Sequence, residues 1–301
     1  MSKSMEAALT AAVVQAAPAA FDLDATMDRV EHWCFEARAK GARLVVFPEA
    51  FLGGYPKGAD FGVRVGMRSD QGRIAFQRYA DAALTIPGAH FERLCQLVRE
   101  LDIVLLIGAI ERDGTSLYCS ALTIDRSGLL ARHRKIMPTA MERVIWANGD
   151  GSSIAVHPTP VGRIGAAICW ENYMPQLRMR LYQQQVELYC APTVDDRDSW
   201  IHSMRHIACE GRCFVLSACQ YALRGDYPAD YQCIQGDAPD TVLIRGGSCI
   251  VDPFGNLLAG PHYGASAVLV AELDPQLIIR GKFDLDLAGH YARPDIFGQL
   301  R

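Results

Sequence analysis

Apolar runs of strand length alternate with segments of helical period from one end of the chain to the other. That alternation is the pattern of an α/β layered fold, and it narrows the possible architectures more than any other feature. The first unit shows how it is read. A strand near 11–16 leads to Asp24, which can cap a helix whose Met27, Val30, Cys34 and Ala37 recur at helical spacing, with Gly41 as a stop. The next run, "RLVVF" at 43–47, enters Pro48 directly and reads as a strand buried on both faces. Further strands are expected at 103–110, 116–124, 163–169, 186–192, 213–220, 246–252 and 266–273, and helices near 71–84, 89–101, 175–184, 198–211 and 274–281. The stretch 221–241 carries Gly, Pro and Asp without apolar period and reads as a long loop. Neither repeat nor low-complexity tract nor linker divides the chain, so residues 1–301 are expected to form a single domain.

Bulk properties exclude several classes of function. The 50% apolar and 21% charged residues match an ordinary globular protein. A net charge of −4 and the lack of any Lys/Arg block leave nothing to neutralise phosphates, so nucleic acid is not an expected partner. The Ala-rich run from Ala7 to Phe21 is interrupted by Gln15 and Pro18 and reads as a first strand and its turn rather than a leader. No apolar run approaches the ~18 residues that span a bilayer, so no membrane partner is expected. The ten cysteines are scattered without CxxC pairs, in a chain too long to need disulfide staples, and are expected to be reduced in the cytoplasm.

Three residues at or just after strand ends carry chemistry. "RIGAAICWENYMP" places Cys169 at the close of an apolar run, "VVFPEAF" places Glu49 in an extended or turning segment after Pro48, and "ARHRKIMPT" places Lys135 before Met137-Pro138. Each alone is more often structural, and Cys169 alone reads equally as a buried thiol. Together they supply a nucleophile, a base to take its proton and a cation for developing negative charge, the set required for thiol attack on a carbon–nitrogen bond. Other signals are set aside. His202 and His206 in "HSMRH" are spaced as in a zinc helix with Cys209 one turn later, but Ser203 stands where a hydrolytic motif needs Glu. The Gly and Lys spacing of "GGYPKG" is wrong for a phosphate loop. His290 in "GHYARPDIF" reads as an ordered contact.

The blocks "FPEAFLGGYPKG", "HRKIMPT", "ERVIWANGDGS" and "AAICWENYMP" resemble the glutamate, lysine and cysteine blocks of the nitrilase superfamily, the carbon–nitrogen hydrolases, and particularly nitrilases proper. The likeness continues through "YCAPTVDDRDSW", "MRHIACEGRCFVLSACQ", "GGSCIVDPFG" and "GHYARPDIF", so it covers nearly the whole chain. It implies a four-layer αββα sandwich with the active site at the ends of the central strands. By motif it implies Glu49 as general base, Lys135 as cationic stabiliser, Cys169 as nucleophile and Glu142 in "MERVIW" as a second carboxylate, with Tyr55, Trp170 and Pro192 in the substrate wall. The implied reaction turns an organic nitrile into its acid and ammonia through a thioimidate and a thioester, with no metal or organic cofactor. An amidase or cyanide-degrading relative using the same residues is the alternative; a non-catalytic binding protein keeping the fold is a third. Only eight residues follow Arg293, so a homodimer or limited higher homo-oligomer is expected rather than the long filaments of tailed nitrilases.

Overall fold

In the computed structural model, which describes residues 4–298, the strands of the first half are β1 (Leu9–Gln15), β2 (Leu44–Val46), β3 (Val104–Asp113), β4 (Ser116–Asp125) and β5 (Gly128–Arg134). They are followed by β6 (His157–Thr159), β7 (Gly162–Ala166), β8 (Leu188–Cys190), β9 (Phe214–Ser217), β10 (Tyr221–Leu223), β11 (Val242–Val251), β12 (Leu257–Tyr263) and β13 (Ala267–Leu273). The helices are α1 (Leu23–Ala39), α2 (Asp70–Asp81), α3 (Ala89–Leu101), α4 (Pro175–Gln183), α5 (Asp198–Gly211), α6 (Gln276–Asp284) and α7 (Pro294–Phe297). One sheet has the order β13-β1-β2-β3-β4-β5; the other has β10-β11-β9-β8-β7-β6, with β12 on β11.

Strand alternation builds the layers. Ala11, Val13, Leu44, Val46 and Leu106 of the first sheet pack in one core with Ile164, Leu188, Cys190, Phe214, Leu216 and Ile250 of the second. The intervening residues face outward. Ala12, Val14, Val45 and Leu105 meet Met27, Val30 and Cys34 of α1 and Leu94 and Val98 of α3. On the far side Tyr189, Val215 and Val251 meet Leu177 and Leu181 of α4 and Trp200, Met204 and Ile207 of α5. Helix, sheet, sheet, helix is the αββα sandwich.

Strand direction places the site. β1, β2 and β3 are mutually parallel, as are β7, β8 and β9, so their carboxyl ends gather at one edge of each sheet. Two antiparallel pairings turn β5 back to the direction of β3: Arg134 stands opposite Ser120, itself opposite Ala109. Lys135 thus emerges at the level where β2 releases Glu49. In parallel sheets this edge is where ligands bind.

Several expectations are corrected. The cap of α1 is Asp22, whose carboxylate accepts from the Ala25 N–H at 2.9 Å; Asp24 lies inside the first turn, 2.8 Å from His90 Nε2. A cap must sit outside the helix with extended backbone, and Asp22 has φ −132°. The strand expected at 163–169 ends at Ala166, leaving Cys169 outside it. The loop expected at 221–241 opens with β10, paired to β11, and a 3₁₀ turn at Arg224–Asp226. There the buried Arg224 guanidinium donates to the carbonyls of Pro228, Ala229 and Tyr231, ordering a backbone that has no ladder of its own. Strands β5, β6 and β12 were not expected at all.

Candidate active site

Glu49 owes its position to a close crossing of two backbones. The segment after β2 passes over Gly108 of β3, where a Cβ would stand 2.2 Å from the Pro48 carbonyl oxygen and 2.7 Å from Glu49 Cα, so only glycine fits. The Gly108 carbonyl then accepts from the N–H groups of Phe51 and Leu52, both at 3.0 Å. From the other sheet, Gln220 Nε2 donates to the Glu49 carbonyl at 2.8 Å. The Glu49 carboxylate, fully buried, accepts from Lys135 Nζ at 2.7 Å on Oε1, with the Cys119 thiol 3.5 Å from the same oxygen. Its second oxygen, Oε2, has no hydrogen-bond partner among the described residues.

Lys135 follows β5 and is pinned through its own backbone: its N–H donates to the Cys119 carbonyl, and its carbonyl accepts from Gly149, each at 2.8 Å. The buried ammonium bridges Glu49 and Glu142 Oε2, the latter at 2.8 Å, and stands 5.6 Å from the Trp146 ring centroid. Glu142 lies in a 3₁₀ turn, Ala140–Val144, and is itself tied down by the Thr139 N–H at 2.6 Å and the Tyr55 hydroxyl at 2.9 Å.

Cys169 lies beyond β7, where the chain still follows β8: Ala167 N–H donates to the Cys190 carbonyl at 3.1 Å and Cys169 N–H to that of Pro192 at 2.9 Å. At Cys169 the backbone turns to φ +49°, a left-handed conformation costly for a non-glycine residue, and enters a 3₁₀ turn, Cys169–Tyr173. Asn172 Nδ2 secures the bend by donating to the carbonyls of Ala167 and Cys169, at 2.9 and 2.7 Å. The thiol is 4% exposed, accepts from the Thr193 hydroxyl at 3.3 Å, and lies close enough to Glu49 for each to influence the other's ionisation.

Burial dominates the electrostatics. It lifts the Glu49 carboxyl above the usual carboxylate range against the opposing pull of Lys135. Burial also works against the Lys135 ammonium, yet the facing Glu49 and its neighbours hold it charged, well above the ordinary lysine value. The Cys169 thiol is pushed up by burial and by Glu49, so it rests protonated at neutral pH. A protonated thiol can act as a nucleophile only by giving up its proton, and among the described residues Glu49 Oε2 is an acceptor in the cluster without a partner.

Glu49, Lys135, Glu142, Tyr55 and Cys169 thus meet in one buried cluster, and Pro192 reaches Cys169 through its carbonyl. Trp170 is placed differently. It is 41% exposed, its indole N–H donates to Asp195 Oδ2 at 2.8 Å, and the Arg197 guanidinium lies 4.7 Å from its ring centroid. His290 is outside the cluster and exposed, its ring against Tyr291 at 5.4 Å. His202 and His206 lie on the exposed side of α5, with His206 Nε2 3.6 Å from Glu210 Oε1. Cys119, Thr193 and Gln220 were not anticipated as site residues. The only signal for Thr193 was its place after Pro192 in a matching block; Cys119 lay within the strand expected at 116–124.

The two sheets of the αββα sandwich thus deliver a buried thiol, carboxylate and ammonium to one edge. The chain belongs to the carbon-nitrogen hydrolase family, whose profile matches residues 10–283. It is 53% identical over 287 residues to an aliphatic nitrilase of Sinorhizobium fredii, covering 95% of this chain and 93% of that protein. It is 50% identical over 304 residues to an arylacetonitrilase of Trametes versicolor, covering 96% and 95%. Its fold matches that of Saccharomyces cerevisiae Nit3, a member of branch 10 of the nitrilase superfamily, with a TM-score of 0.73 at 20% identity, over 97% of this chain and 99% of that one.

Proposed function

We propose that the chain, acting as one domain, is a nitrilase that hydrolyses an organic nitrile to its carboxylic acid and ammonia. The observation that carries this reading is the convergence of Cys169, the free Glu49 Oε2 and the Lys135 ammonium in one buried site; the relatives' names favour nitriles over amides as substrate. Glu49 takes the Cys169 proton as sulfur adds to the nitrile carbon, and returns it to nitrogen, forming a thioimidate. Lys135 stabilises the negative charge that builds on nitrogen, beside the Trp170 N–H, which opens a 3₁₀ turn and has no acceptor within it. Glu49 next deprotonates a water that adds to the same carbon and passes that proton to nitrogen, which takes a further one from the new hydroxyl as it leaves. The tetrahedral carbon expels ammonia and becomes a thioester, and a second water releases the acid and restores the thiol. Two waters are consumed per nitrile, and no step involves electron transfer or a cofactor.

Glu142 shares the Lys135 charge and orients Tyr55, and we place Tyr55, Trp170 and Pro192 around the substrate. Amide hydrolysis by the same thiol is the second reading, favoured by the fact that the set Cys169, Glu49 and Lys135 serves either bond. We further infer a homodimer or higher homo-oligomer, supported by exposed apolar side chains on α6 and α7, and a cytoplasmic location, supported by ten unpaired cysteines. Among the described residues no helix is long and apolar enough to cross a membrane. Ammonia release from aliphatic, aryl and arylacetic nitriles, measured beside the matching amides, tests the assignment. Release from nitriles that is lost in Cys169→Ala supports it; release from amides alone moves the chain to the amidase reading.

A further inference from the structure

The geometry points to Glu171 as a positioning residue that fixes Cys169 relative to Lys135. This assignment rests on the catalytic roles proposed above. Glu171 is fully buried in the turn that carries Cys169, and its carboxylate spans two segments that are far apart in sequence. Oε2 accepts at 2.7 Å from the N–H of Ile168, the residue that immediately precedes the nucleophile. Oε1 accepts from the Ile136 N–H at 2.7 Å, the peptide group that immediately follows Lys135. A third donor comes from β5, the strand that leads into the lysine: His133 Nε2 lies 2.9 Å from Glu171 Oε2, while its Nδ1 lies 3.1 Å from Ser153 Oγ. A carboxylate only accepts, so Nε2 carries the hydrogen, and the serine hydroxyl can pair with Nδ1 as donor or acceptor.

One side chain therefore holds the backbone before the thiol and the backbone after the ammonium, the two groups drawn from different sheets. β5 belongs to the first sheet and β7 to the second. Among the described residues, Glu171 is the side chain that joins these two segments by charge-assisted bonds. The clamp also acts where restraint is most needed, because Cys169 is left-handed at φ +49° and would otherwise relax toward a lower-energy backbone. Glutamine in place of Glu171 retains one acceptor oxygen. Its amide nitrogen must then face either the Ile168 or the Ile136 N–H, donor against donor, and one segment comes loose.

The test separates positioning from folding by counting competent thiols. Wild type, Glu171→Gln and Cys169→Ala are titrated with a small electrophile, and ammonia release from a turned-over nitrile is expressed per titrated thiol. A loss of about tenfold to a hundredfold in kcat per thiol for Glu171→Gln, with KM little changed, is expected for a sub-ångström displacement of nucleophile from cation. A kcat per thiol within about twofold of wild type, with fewer titratable thiols, overturns the assignment and leaves Glu171 a fold-supporting residue. Should Glu171→Gln fail to fold, His133→Asn, which withdraws only the imidazole donor, decides by the same ratio. Activity that persists in Cys169→Ala overturns the underlying reaction instead, and is recognised because it appears whatever residue stands at 171.

Discussion

At the scale of single residues, the site is a buried charge balance with one open position. Lys135 bridges two carboxylates, and among the described residues Glu49 Oε2 has no partner, which makes it the acceptor we propose for the Cys169 proton. Removing the base while keeping its shape, as in Glu49→Gln, is expected to lower kcat about 10²–10⁴-fold, read by ammonia release. Removing the cation is expected to act on the fold as well: Lys135→Met leaves Glu49 and Glu142 buried without their partner and should cost roughly 3–5 kcal/mol in urea denaturation. The pH profile follows from the raised Glu49. Its base form is lost as pH falls through the folded-state value, which lies above the ordinary ~4.3, so the acid limb of kcat/KM should begin at higher pH than a solvated carboxylate would set. A limb at or below that ordinary value would contradict the burial argument. Glu49 and Cys169 were legible in the sequence because each follows an apolar run within a long motif, and Lys135 because it stands among basic residues in the block "HRKIMPT". Cys119, Thr193 and Gln220 were not, because they reach the cluster across strand neighbours, and a one-dimensional pattern carries no record of which strands are adjacent.

At the scale of elements, the sandwich is written in two periods. The buried parallel strands β2, β8 and β9 stand out as short apolar runs, and α3 and α5 span the residues their helical spacing predicts. The strands that escaped notice share a physical trait. β5 reads "GLLARHR", with charged residues along a mostly half-exposed edge, and β12 is largely exposed and carries Pro261. Edge strands need no apolar alternation because one side faces water. The reassigned cap of α1 is directly testable: Asp22→Ala should destabilise by about 1 kcal/mol in urea unfolding, whereas Asp24→Ala should stay within about 0.5 kcal/mol. Equal losses would contradict the assignment. The crossing of β2 over β3 gives a sharper test. Gly108→Ala places a methyl carbon 2.2 Å from the Pro48 carbonyl oxygen and must push the Glu49 segment away, costing about 1–3 kcal/mol of stability together with most of the activity. A fully active Gly108→Ala would show that Glu49 does not depend on this crossing.

At the scale of the whole molecule, each sheet contributes what the other lacks. The first carries Glu49 and Lys135, the proposed base and cation, the second carries Cys169, the proposed nucleophile, and Thr193, and the core between them packs the two halves together. The same molecule leaves apolar side chains uncovered on α6 and α7, with Phe283 86% and Phe297 82% exposed. Light scattering at micromolar concentration should therefore report a dimer or larger assembly, and a monomer would remove the support those residues give to self-association. The central claim concerns the bond that forms between the halves, and intact-mass spectrometry of acid-quenched enzyme during nitrile turnover tests it most directly. The account predicts an adduct of acyl or imidoyl mass located on Cys169 and absent from Cys169→Ala. Turnover without any adduct, or an adduct that survives in Cys169→Ala, would contradict it.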